Sequence, residues 1–94
     1  MNYLTIDGAT NEGLEEALAQ ARASGQSVFL DFWASWCKNC KAMDTRTFSD
    51  PEVQRRLAPY RFIKYVAEDP TDSDTKHVME QYGVQGLPTF VIIQ

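Results

Sequence analysis

The sequence is poor in the residues that usually hold metals: it has one histidine, His77, and two cysteines, Cys37 and Cys40. A structural zinc site takes four ligands, mostly Cys and His, so one here would need carboxylates or a second chain, and no metal is expected. Basic residues are in deficit, with nine Lys and Arg against thirteen Asp and Glu and a formal net charge of −4. No basic stripe is available to neutralise phosphates, which excludes a nucleic-acid partner. No apolar run approaches the roughly 20 residues of a membrane helix. The opening Met1-Asn2-Tyr3-Leu4 lacks a basic region followed by an apolar one, so no secretory signal is expected in these residues and the compartment stays open. Repeats, low-complexity tracts and linkers are also missing. What remains is 94 residues, 44% of them hydrophobic and 12% aromatic, enough for one domain around a single core spanning 1–94.

The chemistry concentrates between Val28 and Arg46. The run Val28-Phe29-Leu30-Asp31-Phe32-Trp33 is apolar on both parities, as a central strand covered on both faces would be, and Asp31 is its exception. Trp36-Cys37-Lys38-Asn39-Cys40 follows and leads into helical spacing. Two cysteines with two residues between them at the mouth of a helix can close and open a small disulfide ring. A purely structural disulfide closing so short a loop would constrain the unfolded chain little. Cys37 sits where free backbone N–H groups, the helix dipole, Lys38 and Lys41 favour a thiolate, so it is read as the nucleophile. Cys40, nearly one turn deeper, is read as the resolving thiol that attacks the mixed disulfide. Asp31, desolvated among apolar neighbours, is expected to have a raised pKa and to exchange protons near neutral pH. Asp44 lies four residues beyond Cys40, on the same helix face, and is a candidate second acid.

Along the rest of the chain, Tyr3 to Ile6 alternates like a short strand. Leu14, Ala17, Leu18 and Ala21 fall at helical spacing in a segment expected from Asn11 to Gly25, with Glu12, Glu15 and Glu16 in its first turns. Helical spacing after the cysteines continues through Met43 towards Thr45. Ser49-Asp50-Pro51-Glu52 starts another helix, carrying Val53 and Leu57. Arg61 to Ala67 reads as a strand, Glu68 to Asp74 as a polar turn, Thr75 to Tyr82 as a helix with Val78, Met79 and Tyr82 facing the core, and Phe90 to Ile93 as a last apolar strand. The register of these strands does not follow from sequence, so Lys64 stays outside the candidate site. This order implies an α/β fold built on a mixed sheet flanked by helices.

The segment Asp31-Phe32-Trp33-Ala34-Ser35-Trp36-Cys37-Lys38-Asn39-Cys40-Lys41 resembles the active-site segment of the thioredoxin superfamily, and Gly86-Leu87-Pro88-Thr89 resembles its cis-proline loop. More narrowly, Thr47-Phe48-Ser49-Asp50-Pro51-Glu52-Val53 resembles the C-terminal, thioredoxin-like domains of the DsbD family of thiol:disulfide interchange proteins. The resemblance implies a thioredoxin fold, a buried acid at Asp31 beneath the resolving cysteine, and a second acid at Asp44. It also implies a substrate-docking surface made of Trp36, Leu87 and a cis Pro88, while Trp33 is expected in the core. The implied activity is thiol-disulfide exchange with no cofactor beyond the cysteine pair. Protein dithiols or disulfides would be the substrates, with an upstream electron donor such as a membrane redox protein, in the bacterial periplasm or, as the alternative, the cytoplasm. The family's Gly-Pro between the cysteines is Lys38-Asn39 here, and without a histidine there the expected direction is reduction. The competing class is a binding or scaffold module that keeps the fold without turnover. The family also has a further strand and a closing helix after the position of Ile93. The reading therefore expects a domain trimmed at its C-terminus, or one paired with a second copy through the edge Phe90-Val91-Ile92-Ile93.

Overall fold

A computed structural model describes residues 1–94. Four strands, β1 (Leu4–Asp7), β2 (Val28–Trp33), β3 (Arg61–Val66) and β4 (Thr89–Ile93), form one mixed sheet in the order β1-β3-β2-β4. Strand β3 runs parallel to both of its neighbours, and β4 runs antiparallel to β2. The helices are α1 (Leu14–Ala23), α2 (Lys38–Ala42), α3 (Pro51–Leu57) and α4 (Ser73–Gln81), with a π-helical segment, Met43–Thr47, continuing α2. None is long and apolar enough to cross a membrane.

The two parities of β2 serve two layers, because successive side chains of a strand point to opposite faces. Val28, Leu30 and Phe32 join Ile6, Ile63 and Tyr65 of the sheet, Leu14, Ala17 and Ala21 of α1, and Val78 and Met79 of α4 in one core. Leu30, Phe32 and Ile63 are fully enclosed, each contributing roughly 1.5–3 kcal/mol by the apolar surface it removes from water. On the other face Phe29 stacks on Phe62 and Phe90, and Phe48 meets it edge-on from beyond the π-helical segment. Asp31 belongs to this aromatic face, two residues along from Phe29, with Lys64 and Phe90 as its partners on the adjacent strands.

Several boundaries differ from the sequence expectation. Helix α1 begins at Leu14 and not at Asn11, because Asn11 and Gly13 take positive φ (55° and 85°) in the preceding turn. The Asn11 side chain is spent there, donating to the Asp74 carbonyl at 3.0 Å and accepting from the Tyr65 hydroxyl at 2.5 Å. Glu12 therefore lies before the helix, and only Glu15 and Glu16 occupy its first turn. Helix α4 starts two residues earlier than Thr75, since Asp72 accepts from the Thr75 amide at 3.3 Å and caps it. Helix α3 has its cap at Asp50, whose Oδ1 accepts from the Glu52 amide at 2.7 Å, with Pro51 in the first turn. The helical spacing past Met43 is not α-helical: the Phe48 amide reaches back five residues to the Met43 carbonyl at 2.9 Å. Strand β4 is an edge of the sheet, and Ile92 on it is 51% exposed.

A candidate dithiol-disulfide site

Strand β2 carries the chain through the middle of the sheet to its own C-terminal end, where Ala34 turns it: the Cys37 amide donates to the Ala34 carbonyl at 3.1 Å. Cys37 then takes an extended conformation and caps α2, its sulfur accepting from the Cys40 amide at 3.1 Å. Cys37 and Cys40 are joined as a disulfide with Cα atoms 5.2 Å apart. The two sulfur-bearing residues are unequal. Cys37 retains 6% exposure and the first-turn amide, whereas Cys40 is sealed at 1%. They pack with Ala34, with Trp33 and Leu87 against them, so the Leu87-Pro88 turn stands beside the pair. The Leu87-Pro88 peptide is cis, as the resemblance implies. Lys38 and Lys41 are exposed on the outer surface of α2. A dithiol so placed has a nearly buried outer sulfur with an amide aimed at it, which favours a thiolate, and a second, fully buried sulfur in reach behind it.

Asp31 is 1% exposed, and its Oδ2 has no hydrogen-bond partner. Burial pushes its pKa up to about 7, against the pull of the Lys64 ammonium and with a further push from Asp44. Asp44 accepts from the Trp33 indole N–H at 3.0 Å and from Lys64 Nζ at 3.2 Å. Lys64 also lies over the rings of Tyr3 and Trp33, 4.7 and 4.9 Å from their centroids. The structure thus joins Asp31 and Asp44 electrostatically through a lysine that sequence reasoning left out. The only signal for it was a cation inside an apolar strand, and register alone decides what such a cation faces. Trp33, expected in the core, is half-buried and tied by its N–H to Asp44.

A second omission is Glu68. Its carboxylate accepts from the Ser35 amide at 2.6 Å and the Ser35 hydroxyl at 2.5 Å, and its carbonyl accepts from the Trp36 indole N–H at 2.7 Å. Those Ser35 bonds, with help from the Lys41 charge, hold the Glu68 carboxyl below the usual range. Trp36, held this way, is 57% exposed beside the cysteines. No group of three or more His, Cys, Asp or Glu side chains converges as metal ligands would.

Comparison with known proteins places this geometry. The chain matches the model of the thioredoxin-like family over residues 9–94. It is 36% identical over 80 residues to the thiol:disulfide interchange protein DsbD 1 of Pseudomonas aeruginosa, covering 83% of this chain and 13% of that protein. It is 30% identical over 101 residues to DsbD of Campylobacter jejuni, covering all of this chain and 18% of that one. The chain thus spans less than a fifth of the length of these curated relatives. Among solved structures it is similar to the reduced C-terminal domain of Neisseria meningitidis DsbD, with 26% identity and a TM-score of 0.80 over 95% of this chain and 77% of that one. A thioredoxin from Thermus thermophilus has 30% identity and a TM-score of 0.69 over 98% of this chain and 65% of that one. With a family model matched from residue 9 to the last and a DsbD domain superposing on nearly all of the fold, the chain belongs to the thioredoxin-like family.

Proposed function

We propose that the chain is a thiol-disulfide oxidoreductase that reduces protein disulfides. The observation that carries this reading is the Cys37–Cys40 disulfide at the start of α2, with Cys37 the less buried of the pair and, on the strand that leads to it, the buried Asp31 carboxyl whose Oδ2 has no partner. In the dithiol form the Cys37 thiolate attacks one sulfur of the substrate disulfide, making a mixed disulfide and releasing the other sulfur as a thiolate. Cys40 gives its proton to Asp31, and its thiolate attacks the Cys37 sulfur. The protein disulfide re-forms and the substrate leaves two electrons richer, its two thiolates taking one proton back from Asp31 and one from solvent to become a dithiol. The thiol of Cys40 is a poor nucleophile while protonated, so an acceptor titrating near 7 suits the second step.

Trp36, Leu87 and Pro88 form the docking surface for an extended segment of the substrate, a role supported by the exposure of Trp36 and the packing of Leu87 against the cysteines. Asp44 tunes Asp31 through their mutual repulsion and through its hold on Lys64. No cofactor enters beyond the cysteine pair. A dithiol donor upstream must restore the reduced state. The relatives named as thiol:disulfide interchange proteins favour a donor within a longer chain or a membrane redox protein, and the periplasm as compartment. Reduction of insulin by dithiothreitol, followed by turbidity, tests the proposal: turnover well above background is expected. A background rate identifies a binding module instead.

A further inference from the structure

Resting on that reading, we infer that Glu68 is a positioning residue that clamps Ser35 and Trp36 in place for docking of a protein disulfide. One residue in the turn after β3 makes three hydrogen bonds to the two residues that precede Cys37, across 32 and 33 positions of sequence. Its carboxylate takes both donors of Ser35, and its carbonyl takes the indole N–H of Trp36.

These bonds do little for the fold. Glu68, Ser35 and Trp36 are all exposed, and exposed polar pairs exchange with water at small net gain. What they restrict is geometry. The indole of Trp36 has no apolar pocket to fill, as its 57% exposure shows, and its N–H bond to the Glu68 carbonyl sets the direction in which the ring projects. The two bonds to Ser35 hold the backbone from which that ring hangs and bring the Cys37 segment to the turn after β3. A large rigid ring kept exposed in one orientation beside a reactive sulfur is pre-organised for contact, since ordering it on binding would otherwise cost affinity. A small disulfide needs only the sulfur. An extended protein segment needs the platform as well.

The test compares Glu68→Ala, Glu68→Gln and Ser35→Ala with the parent on two substrates, insulin and 5,5′-dithiobis(2-nitrobenzoic acid). For Glu68→Ala, KM for insulin should rise roughly three- to tenfold, the worth of about one net hydrogen bond, with kcat within about twofold. Its rate with the small disulfide and its thermal midpoint should not change. Glu68→Gln, which keeps an acceptor for Ser35, should recover part of the loss, and Ser35→Ala should lie between. Glu68→Ala keeps the carbonyl that holds the Trp36 N–H but removes both bonds to Ser35, so time-resolved fluorescence anisotropy in a Trp33→Phe background should show faster motion of Trp36 through the loosened backbone from which its ring hangs. A parent active on insulin whose KM and Trp36 anisotropy are both untouched by Glu68→Ala overturns the clamp while leaving the oxidoreductase intact. A parent inactive on both substrates overturns the oxidoreductase itself, and the clamp's role in docking with it.

Discussion

Asp31 is the residue at which stability and the proposed chemistry oppose each other. Its pKa rises from 3.8 to about 7 on folding, so between those values the folded chain holds a proton that the unfolded chain has released. Stability from this group therefore falls as pH rises from about 4 to 7 and is level above, with a total of at most about 4 kcal/mol. Asp31→Asn should flatten that slope and raise the thermal midpoint at pH 8, while slowing insulin reduction at pH 7 by on the order of 10- to 100-fold through loss of the proton acceptor. Melting curves and initial rates across pH check both signs; an unchanged rate with a flattened slope would leave Asp31 a purely structural group. Lys64 pulls the same pKa down, so Lys64→Met should move the acidic limb of the rate profile to higher pH. The cysteines differ in a simpler way. Reduced protein should take up iodoacetamide first at Cys37, the less buried of the two and the one with the Cys40 amide aimed at its sulfur, and only slowly at Cys40. Cys40→Ser should trap a mixed disulfide that Cys37→Ser cannot form, and equal labelling of the two thiols would contradict the assignment.

At the scale of elements, the segment from α2 to α3 shows how short pieces aim distant groups. A five-residue α-helix passes into a π-helical turn, where the Thr45 hydroxyl donates to the Ala42 carbonyl at 3.2 Å and the Ser49 hydroxyl to the Thr45 carbonyl at 2.6 Å. The turn carries Asp44 to Trp33 and Lys64 and sets Phe48 against Phe29, Phe62 and Phe90. Ser and Thr hydroxyls that bond back to the chain are common where a helix departs from α geometry, but the sequence pattern does not say by how much. Asp50 then restarts the α-helix. Asp50→Ala removes an acceptor for the Glu52 and Val53 amides and should cost about 1 kcal/mol, read as a lower urea midpoint with unchanged m-value. Insulin reduction should be unaffected, because the cap is exposed and apart from the cysteines.

At the scale of the whole molecule the sheet has two edges, β1 and β4, and β4 is apolar from Phe90 to Ile93. Unpaired N–H and C=O groups on such an edge invite a further strand. These 94 residues alone should therefore self-associate at tens of micromolar, and Ile92→Lys, which puts a charge on the exposed edge, should restore the monomer. Sedimentation velocity decides it, and a parent that stays monomeric throughout would show that the edge is tolerated. The sequence by itself determined the order of the elements, though not all their bounds, and the cysteine pair. Period-2 and period-3.6 patterns are local, and Cys37 and Cys40 are neighbours on one helix whatever the rest of the chain does. It also marked Asp31, because a carboxylate in a strand apolar on both parities has nowhere dry and paired to go. Only the tertiary structure decided what surrounds these groups. Parallel pairing of β2 with β3 set Lys64 beside Asp31, and the turn after β3 brought Glu68 to Ser35 and Trp36. Both contacts join residues some thirty positions apart. Their partners are chosen by strand register and chain crossover, which depend on the packing of both faces at once and leave no periodic trace in the residues themselves.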